Sequence, residues 1–129
     1  MNSNGAVVLV IDDDDVVCDV IKRVLEMANL KVIVARNGSE GLEQYRLVAP
    51  ALIITDLIMP EKEGIETIMA LRKQRSSVRI LAISGGGRIG NTDILGVARS
   101  LGADDILAKP FQPADLISKV HQLLGAAPG

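Results

Sequence analysis

Ala6-Val7-Val8-Leu9-Val10-Ile11, followed at once by Asp12-Asp13-Asp14-Asp15, is the stretch on which the fold turns. An apolar run without alternation fits a strand buried on both faces of a parallel sheet, and this one is too short to span a membrane. The aspartates mark its carboxyl end. Beyond them Val16, Val17, Val20, Ile21, Val24 and Leu25 recur at helical spacing, with Asp14 and Asp15 placed to cap the helix start.

Working outward, Lys31–Ala35, Ala51–Thr55, Val78–Ile83 and Asp105–Ala108 read as further strands. Asn37-Gly38 breaks the chain after the second strand, Ser39 is read as an N-cap, and a second helix runs to about Val48 before Pro50. Leu57-Ile58-Met59-Pro60 is a loop, and Ile65, Ile68, Met69 and Leu71 mark a third helix that ends in a basic stretch. Thr92-Asp93 opens a fourth, carrying Ile94, Leu95, Val97, Ala98 and Leu101 and stopped by Gly102. Pro113 opens a fifth, carrying Leu116, Ile117, Val120 and Leu123. The pattern is (βα)₅. Right-handed crossovers make it an α/β doubly wound parallel sheet, flavodoxin-like, with strand order 2-1-3-4-5 expected at this length.

Composition excludes several functions. The 129 residues suit one domain, and 14 Lys and Arg against 16 Asp and Glu give a net charge of −2, without the basic excess that nucleic-acid binding needs. Tyr45 and Phe111 are the only aromatic residues, so no platform for stacking bases or flavins exists. Cys18 is the lone cysteine, which rules out an internal disulfide and the cysteine-rich zinc spacings. No targeting segment is found, and the expectation is a cytoplasmic protein without a membrane partner.

In open α/β sheets ligands bind outside the carboxyl ends of the strands, where the strand order reverses. Those ends carry Asp12 to Asp15, Asp56, Ser84 and Lys109-Pro110. Each has a bland role available: capping for Asp14 and Asp15, a turn for Asp56, a cap for Ser84, a counter-ion for Lys109. Together at one crevice they point to function. Adjacent carboxylates facing a third repel, so Asp12, Asp13 and Asp56 suggest a bound cation, and oxygen-only ligands suit Mg²⁺, or Mn²⁺. An aspartate can accept a phosphoryl group, with Lys109 supplying positive charge and Ser84 a hydroxyl donor.

From about Val7 to Leu124 the chain resembles the response-regulator receiver family. Val8-Leu9-Val10-Ile11-Asp12-Asp13-Asp14 looks like its acid pair, Asp56-Leu57-Ile58-Met59-Pro60 its phosphoacceptor and Met-Pro loop, Ser84 its Ser/Thr position, and Lys109-Pro110-Phe111 its Lys-Pro-Phe ending. Gly64 falls where the family often has glycine. The resemblance implies that Asp56 takes phosphate from a phosphohistidine on a histidine kinase or phosphotransfer protein, and that Lys109–Pro110 is cis. It implies a two-component signalling protein, not an enzyme beyond its own phosphorylation and dephosphorylation. Residues 1–129 are expected to form a single receiver domain with no effector domain, so the output reaches an unknown protein target. Helix 1, where donors dock in the family, and the helix 4–strand 5–helix 5 face are the candidate surfaces.

Two departures stand out. Ile106 replaces the Tyr or Phe common in strand 5, so signal transmission is expected through backbone and loop shifts in place of an aromatic rotamer. Gly85-Gly86-Gly87-Arg88-Ile89-Gly90-Asn91 lengthens the link to helix 4 and spells Gly-x-Gly-x-x-Gly, but it follows strand 4 without the acid a dinucleotide site needs. It is read as a loop that orders on phosphorylation. Ile58 overlooks the site either as loop packing or as an apolar group unable to orient water. One rival reading is a haloacid-dehalogenase-type phosphatase with Asp12 as nucleophile and Asp14 as acid/base. It leaves Asp56 without a role, and Asp104 and Asp105 precede the last strand. Another is a receiver-like interaction module that never takes phosphate. His121, with no second ligand spaced to join it, is read as a surface residue.

Overall fold

The computed structural model describes residues 5–56, 63–74, 76–84 and 99–125, with residues 63, 64 and 84 described by backbone alone. Strands β1 (Val7–Ile11), β2 (Lys31–Ala35), β3 (Leu52–Asp56), β4 (Arg79–Ser84) and β5 (Asp105–Ala108) form one parallel sheet in the order β2-β1-β3-β4-β5. Helices α1 (Asp15–Met27), α2 (Gly38–Val48) and α3 (Glu63–Lys73) and a C-terminal helix (Pro113–Gly125) cover its faces. Residues 99–101 are helical and lead into Gly102, while residues 92–98 of the expected fourth helix lie outside the described residues. The strand order is the one the sequence implies, and it reverses between β1 and β3.

The apolar runs are continuous because successive side chains enter different cores. Val8, Val10, Ile54, Leu81 and Ile83 join Ile21 and Leu25 of α1 and Leu116, Val120 and Leu123 of the C-terminal helix. Leu9, Ile11, Ile53, Ile80 and Ala82 join Ile68 and Leu71 of α3.

Helix faces differ from expectation at three places. In α1 the buried stripe is Cys18, Ile21 and Leu25, whereas Val16 and Val20 are 71% and 41% exposed. In α3 Met69 points outward while Ile68 and Leu71 are buried. The N-cap of α2 is Asn37, not Ser39: its backbone is extended and its Oδ1 accepts the Glu40 N–H at 2.8 Å. Asn37 and Glu40 have the spacing of a cap and its third helical residue, and the Glu40 carboxylate returns to the Arg36 N–H.

At the opposite end of the sheet Arg72 fastens α3 to the β4–β5 edge. Its Nε donates to Gly102 O at 2.9 Å, its Nη1 to Ser76 O and Val78 O at 2.8 and 2.9 Å, and its Nη2 reaches Asp104 at 3.2 Å. Gly102 has φ +116°, a backbone region that disfavours other residues. Among the described residues no helix is long and apolar enough to cross a membrane.

Near the strand ends, Gly41 of α2 abuts Ile11, so closely that an added Cβ would lie 2.8 Å from Ile11 Cγ1. Overpacking costs about 1–3 kcal/mol and the gain in helix propensity returns about 1 kcal/mol, so the packing loss dominates. Gly41→Ala is expected to lower stability by roughly 1 kcal/mol, with part recovered by adding Ile11→Val. Urea denaturation with an unchanged m-value checks this, and a Gly41→Ala variant as stable as the parent would contradict it.

Candidate functional site

Asp12 follows β1 directly and is fully buried, Asp56 is the last residue of β3 with 5% exposure, and Asp13 is exposed. The sequence reading ended strand 3 at Thr55; the strand continues through Asp56, whose backbone pairs with Ile83 of β4. That last residue of pairing holds the carboxylate's base rigidly beside the crevice. Asp12, Asp13 and Asp56 each offer a carboxylate oxygen within 4.8 Å of the others.

Lys109 follows β5 and reaches across the crevice. Its Nζ lies 3.2 Å from Asp56 Oδ2 and 3.4 Å from Asp12 Oδ2. The Lys109–Pro110 peptide is cis, as the resemblance implies. Burial pushes Asp12 above the ordinary carboxylate range, against the pull of the Asp14 N–H and the Lys109 ammonium. For Lys109 burial works downward, but Asp56 and Asp12 outweigh it and hold the amine above its usual value. The ammonium therefore stays charged at neutral pH.

Among the described residues three carboxylates converge with one ammonium, an excess of acid that a divalent cation would offset. The donors are all hard oxygens, the set Mg²⁺ takes while keeping several waters. The residues present therefore fit such an ion.

Asp14 caps α1: its Oδ1 accepts from Val16 N at 2.9 Å and Val17 N at 3.3 Å, the capping role the sequence offers for it. Asp15 pairs with Arg36 at 2.7 Å. Ser84 ends β4 with its backbone paired to Ala108, next to Lys109, and its side chain lies outside the described residues. Leu57 to Pro60, including Ile58, and Gly85 to Asn91 lie outside them too. Ile106 is half-buried and packs against the Leu9 and Ile53 core. His121 is exposed on the C-terminal helix.

One neighbour of the site escapes a reading by periodicity. Cys18 Sγ donates to the Asp12 carbonyl at 3.3 Å from within the buried stripe of α1. The i, i+3, i+7 spacing of Cys18, Ile21 and Leu25 is one of two apolar stripes on α1, so periodicity offers Cys18 as a core residue without choosing it over Val16 and Val20.

Comparison with known proteins agrees with this geometry. Residues 8–121 match the family model described as "Response regulator receiver domain". The transcriptional regulatory protein CpxR of Escherichia coli (strain K12) is 34% identical over 117 residues, covering 91% of this chain and 48% of that protein. The chain spans about half the length of the curated relatives it matches. Among solved structures, the Francisella response regulator 1452 receiver domain superposes with TM-score 0.83 at 31% identity, covering 93% of this chain and 97% of that one. The Vibrio cholerae chemotaxis protein CheY4 does so with TM-score 0.83 at 26% identity, covering 92% and 98%. With an acid cluster and a lysine at the switch point of a 2-1-3-4-5 sheet, and with this match over most of its length, the chain belongs to the response-regulator receiver family of two-component systems.

Proposed function

We propose that this receiver accepts a phosphoryl group on Asp56 from a phosphohistidine of a histidine kinase or phosphotransfer protein. The observation that carries the reading is the Asp56 carboxylate, buried at a strand end with Lys109 Nζ 3.2 Å away and the Asp12 and Asp13 oxygens within 4.8 Å. An Asp56 oxygen forms the new O–P bond as the N–P bond breaks, and the leaving imidazole keeps the electron pair. Little covalent chemistry is asked of the protein beyond positioning and charge neutralisation. Asp12, Asp13 and Asp56 hold Mg²⁺, or Mn²⁺, which when bound offsets the charge of the incoming phosphoryl oxygens. Lys109 takes up one of those oxygens as a compact cation, and Ser84 supplies a hydroxyl donor. Turnover is limited to the domain's own phosphorylation and dephosphorylation.

The donor docks on the outward face of α1. Val16 and Val20 are exposed there and, with Val17, line one cleft with Lys109, Pro110 and Phe111, which leads from the helix surface to the reactive lysine. Exposed apolar residues beside a charged site support a protein-docking surface. The output is a phosphorylation-dependent surface offered to another protein or domain. The transcriptional regulatory role in the names of CpxR and of the Bacillus subtilis PhoP is compatible with that switch.

Incubation with acetyl phosphate and Mg²⁺ is expected to add one phosphoryl mass to the intact protein and none to Asp56→Asn. An unmodified wild type, or an equally modified variant, would overturn the reading. For the docking face, Val20→Asp places an unpaired carboxylate in the interface. Phosphotransfer from the fastest kinase in a profile of the source cell should then fall roughly tenfold relative to acetyl phosphate labelling. An unchanged ratio would remove α1 from the interface.

A further inference from the structure

Every polar group of Asp12 is engaged. Its N–H donates to Ala35 O at 3.1 Å, its Oδ1 accepts from Asp14 N at 2.9 Å, and its Oδ2 faces Lys109 Nζ at 3.4 Å. Its carbonyl oxygen accepts from the Cys18 thiol at 3.3 Å. The first two partners are main-chain groups and the third belongs to the site already described. Among the described residues, Cys18 is the core side chain that hydrogen-bonds to Asp12's main chain. It is itself buried in the core with Ile21, Leu25 and Val10. A carbonyl oxygen can only accept, so the thiol is the donor in this contact.

The Asp12 carbonyl belongs to the planar peptide that joins Asp12 to Asp13, so holding its oxygen sets the orientation of that plane and the direction in which Asp13 leaves it. The geometry points to Cys18 as a positioning residue for the cation site: its S–H···O=C bond to Asp12 fixes the peptide linking two carboxylate ligands, and so contributes to affinity for Mg²⁺. The inference rests on the proposed reading of Asp12, Asp13 and Asp56 as cation ligands. Cys18 does not touch the ion or the phosphoryl group. A van der Waals role alone would be met by any side chain of similar volume, whereas the positioning role needs a donor.

That difference sets the test. Mg²⁺ is titrated into the full chain and followed by NMR through the backbone amides of residues 12 to 14, with thermal melts run in parallel on every variant. Cys18→Ala and Cys18→Val, which lack the donor, should bind Mg²⁺ about 3- to 10-fold more weakly, the effect of one lost hydrogen bond. Cys18→Ser, which restores a donor, should stay within about twofold of wild type even if its melting temperature falls, because hydroxyl and thiol fill the same bonding role. Valine fills the space that cysteine occupies and adds about one methyl group, so it keeps the comparison open where the alanine cavity unfolds the protein. Valine and alanine variants that bind as wild type does would overturn the inference, as would a serine variant no better than alanine. A wild type with no response to Mg²⁺ would instead overturn the cation reading itself, and this inference with it.

Discussion

Three carboxylates, Asp12, Asp13 and Asp56, meet at one end of the sheet with the Lys109 ammonium among them. Nothing in the hydrophobic packing requires this convergence. Two of the acids are almost fully buried, and at Asp12 desolvation acts to neutralise the carboxylate while Lys109 and the Asp14 N–H hold its charge in place. Such an arrangement is a standing electrostatic cost that the rest of the domain must sustain, and sites of this kind are where perturbed ionisation gathers. The two cores beneath supply the rigidity: α1 and the C-terminal helix on one face, and α3 on the other, clamp the strands whose ends carry the acids.

The sheet is also what brings together residues far apart in sequence. β1 and β3 are adjacent, so Asp12 and Asp56 end neighbouring strands. β5 is two strands removed from β3, and Lys109 covers the gap with its length. An extended lysine is suited to this because its apolar stem packs while its charge reaches forward.

Much of this was legible from residue order. The strand runs of Val, Ile and Leu have one simple solution, a parallel sheet buried on both faces, and the strand-end acids and lysine follow from it. The strand ends alone place Asp56 in the acid cluster suited to a cation, and the resemblance singles it out as the phosphoacceptor. Helix faces were harder. In α1 two overlapping stripes are apolar, Val16-Val20-Val24 and Cys18-Ile21-Leu25, and periodicity cannot say which one the core takes. Small Cys18 faces inward beneath Asp12, leaving Val16 and Val20 outside beside Pro110 and Phe111. Ser39 and Asn37 are both good caps in isolation, and the choice fell to Asn37 because Glu40 closes the turn from the other side.

If carboxylate repulsion is the stored cost that a cation relieves, stability should report it directly. The decisive measurement is the melting temperature of wild type and Asp13→Asn across a Mg²⁺ series from metal-free buffer upward. Removing the exposed carboxylate should make the variant more stable than wild type without metal, while wild type alone gains strongly as Mg²⁺ is added. A wild type insensitive to Mg²⁺, or an Asp13→Asn variant that is less stable in metal-free buffer, would contradict the account.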